Sequence, residues 1–282
     1  MLKNLHAVLV HDQPDCVHDL VANLRRFDPD SDVLIYDGSG GPLRADLTGP
    51  LYDGVHFVPA PRRQRWGRTH DYILSCMDYF ARGDWDALTV VDSDQLLYSE
   101  GYSAALTRFW EENGRARLGM VVPRTSEAHA ESPWEGLQPI LRQGVRSYRE
   151  HPIMAAAVAA RGWTPMLRWN FNPSTVYLRP AILALLRLLD VVGGLREEVL
   201  TAVDRVRVAE ELYLGSLIGM LGFEARQYDF PRRVSWRTPI EPDDLPTMDT
   251  ERVLWCHPVP RDMNDTIRQA IAARRVTVRD VA

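Results

Sequence analysis

The order strand, helix, strand at the N-terminus constrains the fold more than any other feature of the sequence. Residues 5–10 form a largely apolar run, and Pro14 opens a segment with apolar residues at i, i+3, i+4 and i+7, namely Val17, Leu20, Val21 and Leu24. Residues 32–37 form a second strand, which glycines and a serine end. Two strands joined by a helix lie parallel, so the sequence predicts an α/β fold with a mostly parallel central sheet flanked by helices.

The remaining elements follow the same pattern. Further strands are predicted at 55–58, 87–91, 118–122, 175–178 and 254–258, and helices at 69–81, 180–189, 209–221 and after residue 262. Between them, residues 125–172 are rich in Trp, Pro and Arg, with weak helical patterns that prolines interrupt. This stretch predicts a helical insertion that covers a site.

Composition excludes several classes of protein. Hydrophobic residues make up 45% of the chain and charged residues 25%, which is typical of a folded globular protein. A net charge of -5 argues against a nucleic-acid surface. The three cysteines are widely spaced and are expected to be reduced. With no charged-then-apolar leader and no apolar run of 18 residues, a cytoplasmic location and no transmembrane segment are expected.

The strongest chemical signal is Asp92-Ser93-Asp94, which follows the fully apolar run 87–91. Two carboxylates this close at the end of a buried strand raise each other's pKa unless a cation or hydrogen bonds compensate their charge. Mg²⁺ or Mn²⁺ would remove that cost, because hard ions take oxygen ligands and share their shell with substrate phosphates. Alternatively, Asp92 caps backbone amides in a turn that ends the strand.

With this motif after a core strand, residues 5–260 resemble the nucleotide-sugar glycosyltransferases of the GT-A fold (family 2-like). The resemblance implies one domain over residues 1–282, with a nucleotide-binding half (1–124), an acceptor-binding half (125–262) and a C-terminal helix (263–282). It also implies a nucleoside diphosphate sugar as donor, with a UDP-sugar favoured, an acceptor of unknown identity, and Mn²⁺ or Mg²⁺ as cofactor.

Several residues are predicted to bind the nucleotide sugar. Asp37-Gly38-Ser39 resembles a loop of the family in which the aspartate contacts the nucleobase or the ribose. The structural alternative is that the same three residues form an ordinary turn. Arg68, at the start of the 69–81 helix, is expected to bind the diphosphate together with Asp92, Ser93 and Asp94. His11 follows the first strand and borders the nucleotide, and the loop of Asn172 resembles the one that faces the sugar.

Glu210 and Glu211 head the 209–221 helix and resemble the family's acidic pair, whose second member is the base; this assigns proton removal from the acceptor to Glu211. First-turn glutamates are also favoured by the helix dipole, which is the structural alternative for both. His257 ends a short apolar strand and can add a nitrogen ligand to the metal held by Asp92 and Asp94.

Together these residues predict a metal-dependent glycosyltransferase that inverts the anomeric centre. A retaining enzyme of the same fold and a non-catalytic nucleotide-sugar-binding protein remain alternatives. A phosphatase with an aspartate nucleophile is disfavoured, because its motif usually lies on the first strand. A nucleotidyltransferase is disfavoured because residues 5–20 contain no glycine-rich loop.

Overall fold

A computed structural model describes residues 1–39, 42–64, 69–114, 116–123, 125–129, 166–201, 209–235 and 238–275. In chain order the strands are β1 (Asn4–Val10), β2 (Asp32–Asp37), β3 (His56–Phe57), β4 (Ala87–Val91), β5 (Leu96–Leu97), β6 (Leu118–Val122), β7 (Thr125–His129), β8 (Met166–Asn170), β9 (Val176–Leu178), β10 (Glu224–Gln227), β11 (Arg232–Val234) and β12 (Trp255–His257). The helices are α1 (Pro14–Phe27), α2 (His70–Phe80), α3 (Tyr102–Glu112), α4 (Arg179–Val191), α5 (Leu195–Thr201), α6 (Ala209–Met220), α7 (Leu245–Thr250) and α8 (Thr266–Arg274).

Seven of these strands form the central sheet, in the order β10-β6-β9-β4-β1-β2-β3. Strand β9 runs antiparallel to both of its neighbours, and the other adjacent pairs are parallel. The predicted fold class, a mostly parallel central sheet flanked by helices, is therefore confirmed.

Both faces of the sheet are buried, which explains why its strands are apolar on both sides. Successive side chains of a strand point to opposite faces. In β1, Leu5, Ala7 and Leu9 belong to the hydrophobic cluster that includes α2, α4 and α6. Val8 and Val10 belong to the cluster that includes α1, α3 and α8. The sheet is thus the middle of three layers.

Two smaller sheets lie beside the central one. Strands β11, β12 and β5 form the first, which places the end of β12 next to the segment that follows β4. Strands β7 and β8 form an antiparallel ribbon, and β8 packs on α6. The insertion predicted to be helical therefore begins and ends as strands in its described residues. Residues 130–165 lie outside the described part.

Most element boundaries agree with the sequence to within two residues. Strand β3 is shorter than predicted, and α4 extends to Val191. Gly222 follows the end of α6 with a φ of 88°, in the left-handed conformation that favours glycine. Among the described residues, no helix is long and apolar enough to cross a membrane.

A buried ion cluster attaches the C-terminal helix to the rest of the fold. Asp19 on α1 accepts hydrogen bonds from the guanidinium groups of Arg268 and Arg275. Arg268 is fully buried and also donates through Nε to the carbonyl of Pro260 at 2.9 Å. Removing one partner of a buried ion pair is costly, because the remaining charge is left in a medium that solvates it poorly.

We therefore expect Asp19→Asn to lower the free energy of unfolding by about 3 to 5 kcal/mol, since the charge of Arg268 loses its compensation. Urea denaturation followed by circular dichroism measures this change. Asp84→Asn is the matched control, because Asp84 pairs with Lys3 on the exposed surface and its loss should leave the urea midpoint unchanged. Equal midpoints for both variants would contradict the structural role of the cluster.

Candidate active site

The carboxyl ends of three parallel strands meet at one edge of the central sheet. Val10, the last residue of β1, pairs with Asp37 of β2, and Val8 pairs with Val91 of β4. The chain moves from β1 to β2 and β3 on one side, whereas β4 lies on the other side of β1. Ligands of open α/β sheets bind at the carboxyl ends of strands where the strand order reverses in this way.

A cleft of about 610 Å³ opens at this edge. It collects side chains from the loops after β1, β2, β4 and β12, from the loop before β9 and from the start of α6. Its lining residues are Leu9, His11, Asp12, Gly38, Ser39, Arg63, Gln64, Thr69, Asp92, Ser93, Asp94, Phe171, Asn172, Pro173, Glu210, Glu211, His257 and Arg261.

Backbone hydrogen bonds bring the two halves of the predicted metal site together. The amide of Val259 donates to the carbonyl of Asp94 at 2.7 Å, which fixes the end of β12 beside the loop after β4. His257 Nε2 then lies 3.3 Å from Asp94 Oδ1, while its Nδ1 lies 3.1 Å from the carbonyl oxygen of Ser235. The ring of Phe171 packs edge-on against His257, with 5.8 Å between centroids.

The charges of Asp92, Asp94 and His257 act on one another. Burial, together with the charge of Asp94, raises the pKa of Asp92 to about 6. Burial also acts to raise the pKa of Asp94, but the hydrogen bond and charge of His257 outweigh it and lower that pKa. For His257 burial acts to lower the pKa, yet the hydrogen bond to Asp94 and both carboxylates raise it.

The same three residues fit a divalent cation. One ligand atom each from Asp92, Asp94 and His257 lie within 4.8 Å of one another. Two carboxylate oxygens and one imidazole nitrogen suit Mn²⁺, and with more water also Mg²⁺. A ligating histidine usually donates its other N–H to a carbonyl or carboxylate, and the carbonyl of Ser235 accepts in this way from His257.

The loop of Asn172 is fastened to the same strand as the Asp-x-Asp motif. The amide of Ser174 donates to the carbonyl of Val90, and the amide of Val90 donates to the carbonyl of Thr175, both at 2.9 Å. Ser174 adopts a φ of 57°, which turns the chain between these two bonds. Asn172 therefore lines the same cleft as Asp92, Asp94 and His257.

Glu210 and Glu211 enter the cleft from the first turn of α6. Trp169 of β8 donates from Nε1 to Glu211 Oε2 at 2.8 Å. Burial and the charge of Glu210 raise the pKa of Glu211 to about 8, although the hydrogen bond from Trp169 favours the charged form. Burial raises the pKa of Glu210 to about 7, and the charge of Asp92 adds to both shifts.

Asp37 does not line the cleft. Its Oδ1 accepts from the amide and hydroxyl of Ser39, and its Oδ2 accepts from the amide of Arg44. The carboxylate therefore holds the turn after β2, which was the structural alternative at this position, and Gly38 and Ser39 face the cleft instead. A Cβ on Gly38 would lie 2.7 Å from the ring of His11, so only glycine fits this contact.

Among the described residues, two arginines line the cleft. Arg68 lies outside the described residues, while Arg63 from the same loop lines the cleft. Arg261, which sequence reasoning missed, donates from Nη1 to Ser93 Oγ at 3.0 Å. The available signal was its position four residues after His257. Burial lowers the pKa of His11, and the charge of Arg261 contributes to that shift.

Comparisons with known proteins were made by family model, by sequence and by structure. No protein-family model matches the chain, and no curated protein matches it in sequence. Among solved structures, the chain is similar to residues 1–349 of TarS from S. aureus, with 12% identity and a TM-score of 0.38 over 68% of this chain and 50% of that one. It is also similar to the galactosyltransferase LgtC in complex with donor and acceptor sugar analogs, with 12% identity and a TM-score of 0.42 over 98% of both chains. The chain thus spans half of the TarS fragment.

Proposed function

We propose that this protein is a metal-dependent glycosyltransferase that moves a sugar from a nucleoside diphosphate sugar, with a UDP-sugar favoured, to an acceptor hydroxyl. The observation that supports it most is the presence, in one cleft, of a carboxylate–carboxylate–imidazole group and a separate pair of buried glutamates. The carboxylate–carboxylate–imidazole group suits a divalent cation that also binds substrate phosphates. The pair of glutamates suits proton transfer.

One side of the cleft is suited to the diphosphate. Asp92, Asp94 and His257 would hold Mn²⁺ or Mg²⁺, which stabilises the negative charge that develops on a departing diphosphate. Arg261 is exposed in the cleft, and its guanidinium can form paired hydrogen bonds with phosphate oxygens. Arg63 and the half-buried His11 lie around the same space.

The other side is suited to activation of the acceptor. Trp169 and the backbone amide of Asn172 both hydrogen-bond to the carboxylate of Glu211, so this side chain is held at the start of α6 where it can accept a proton from an acceptor hydroxyl. In a single displacement the acceptor oxygen bonds to the anomeric carbon, and the bond from that carbon to the diphosphate oxygen breaks. The diphosphate leaves with the electron pair, and the acceptor proton passes to Glu211. This displacement inverts the anomeric centre.

We expect Asp94→Asn and Asp92→Asn to abolish turnover and Mn²⁺-dependent nucleotide binding while the protein remains folded. Each change removes one charged oxygen ligand from a site of three protein ligands. Calorimetric titration of UDP with and without Mn²⁺ measures binding, and circular dichroism checks the fold. Asp84→Asn serves as the control, because Asp84 does not line the cleft. Full activity in the presence of EDTA would contradict the proposed metal dependence.

Glu211→Gln should preserve donor affinity, because the amide is nearly isosteric with the carboxylate, but lower turnover by about 10² to 10⁴. Glu210→Gln should lower turnover less than tenfold. Steady-state kinetics together with the donor dissociation constant separate binding from chemistry. Retained product configuration combined with a nearly active Glu211→Gln would exclude the single displacement and favour the retaining alternative.

The pH dependence of the reaction provides an independent test of Glu211. A base works only when ionised, so kcat/KM should rise with pH through about 8, the pKa of this carboxyl in the ligand-free protein. Trp169→Phe removes a hydrogen bond that stabilises the ionised carboxylate of Glu211, so the pKa of Glu211 rises. The increase in kcat/KM should therefore occur at higher pH in this variant. Trp85→Phe is the matched control, since Trp85 donates to Asp32 outside the cleft. Identical limbs in both variants would contradict the role of Glu211.

A further inference from the structure

Gln95 is a buried amide directly after the two aspartates, and its side chain faces the protein interior. Only 2% of its surface is exposed, and it does not line the cleft. Its Nε2 donates to Ser174 Oγ at 2.6 Å, whereas its Oε1 has no hydrogen-bond partner among the described residues. Burying an amide is unfavourable unless its polar atoms are paired, so an apolar side chain would suit this position on grounds of stability alone. The amide therefore indicates a role in positioning.

The backbone of Gln95 closes the turn that carries the two carboxylates. Its amide donates to the carbonyl of Asp92 at 3.0 Å, which places Ser93 and Asp94 at the centre of a four-residue turn. The backbone of Gln95 thus shapes the turn, and its side chain connects the end of the turn to Ser174.

Ser174 holds both ends of this turn. Its amide donates to the carbonyl of Val90, which precedes the turn, at 2.9 Å, and its hydroxyl accepts from Gln95, which ends it. Ser174 is fully buried and adopts a φ of 57°, so its backbone is held in one particular conformation. The distance between the two ends of the turn therefore depends on one residue of another loop.

The loop of Ser174 also contacts the third member of the metal-binding group. The hydroxyl of Thr175 donates to the carbonyl of Phe171 at 2.7 Å, which ties the end of the loop to its start. The ring of Phe171 packs edge-on against His257. His257 in turn lies 3.3 Å from Asp94, so these contacts form a closed ring around the group.

We propose that Gln95 and Ser174 are positioning residues that fix the Asp92–Asp94 turn relative to His257 for binding of a divalent cation, an inference that rests on the proposed function. The ligand atoms of a cation must be held at defined separations, and residues outside the ligand set provide this restraint. In this protein the restraint is a hydrogen bond between two side chains that are both buried below the cleft.

The experiment measures how much Mn²⁺ the protein needs to bind UDP, by calorimetric titration of UDP at a series of fixed Mn²⁺ concentrations. Gln95→Met keeps the length of the side chain and removes its polar atoms. It should raise the Mn²⁺ concentration for half-maximal UDP binding by about 3- to 10-fold, less than the roughly 10- to 100-fold typical of residues that bond directly to a metal ligand. At saturating Mn²⁺ the UDP affinity should return to that of the wild type, because every residue that lines the cleft is still present.

Asn4→Leu is the matched control. Asn4 is also a buried amide, accepts from Thr89 Oγ1 at 2.8 Å, and lies at the start of β1, at the opposite end of the strand from the cleft. Its loss should lower the melting temperature and leave the Mn²⁺ requirement unchanged. A purely structural role of Gln95 would give the same result.

Ser174→Gly tests whether Gln95 acts through Ser174, because glycine accepts the positive φ and lacks the hydroxyl. It should raise the Mn²⁺ requirement by a similar factor, and adding Gln95→Met should cause no further increase, since both changes remove the same hydrogen bond. If Gln95→Met does not fold, Ser174→Gly alone removes that bond from its other partner.

Three results would overturn the positioning role and leave the proposed function intact. They are an unchanged Mn²⁺ requirement in Gln95→Met, an equal increase in Asn4→Leu, and additive effects of Gln95→Met and Ser174→Gly. If the wild-type protein shows no Mn²⁺-dependent binding of UDP, the proposed function itself fails, and the positioning role fails with it.

Discussion

The repulsion between Asp92 and Asp94 determines much of what surrounds them. Two carboxylates at the end of a strand buried on both faces need positive charge within a few ångströms. In this protein His257 lies against them, with its Nε2 3.3 Å from Asp94 Oδ1, and lowers the pKa of Asp94. That contact depends on the small sheet of β5, β11 and β12, in which β12 ends beside the loop after β4. A fold element outside the main sheet therefore influences the ionisation of the two aspartates at the edge of that sheet.

The cleft combines two kinds of side chain. Arg261 lies at the carboxylate–imidazole group, where it donates to Ser93, and a guanidinium at this place suits anionic groups. At the start of α6 lie two glutamates whose pKa values are raised by burial, which suits proton transfer. One cleft therefore presents two different chemistries.

Local pattern was enough to predict six of the seven strands of the central sheet, helices α1, α2, α4, α6 and α8 and the Asp-x-Asp motif, since each depends on periodicity or on residues adjacent in sequence, whereas α3, β10 and the ribbon of β7 and β8 were not predicted. The positions of Glu211 and His257 followed from the resemblance, and the structure places both in the cleft. Asp37 shows the limit of such reasoning, because the same Asp-Gly-Ser sequence suits a ligand contact and a self-contained turn. Arg261 and Gln64 were missed because their proximity to the cleft depends on long-range contacts that no local pattern encodes.

The buried position of Arg268 has a consequence for the side of the cleft that Arg261 lines. Its guanidinium joins three separate parts of the chain, namely α8, Asp19 of α1 and the carbonyl of Pro260. Pro260 directly precedes Arg261, so the C-terminal helix limits how far that cation can move, although α8 contributes no residue to the cleft lining. The position of an exposed arginine in the cleft thus depends on a contact in the protein interior, and a change in the packing of α8 would be transmitted to Arg261 through the peptide bond that joins it to Pro260.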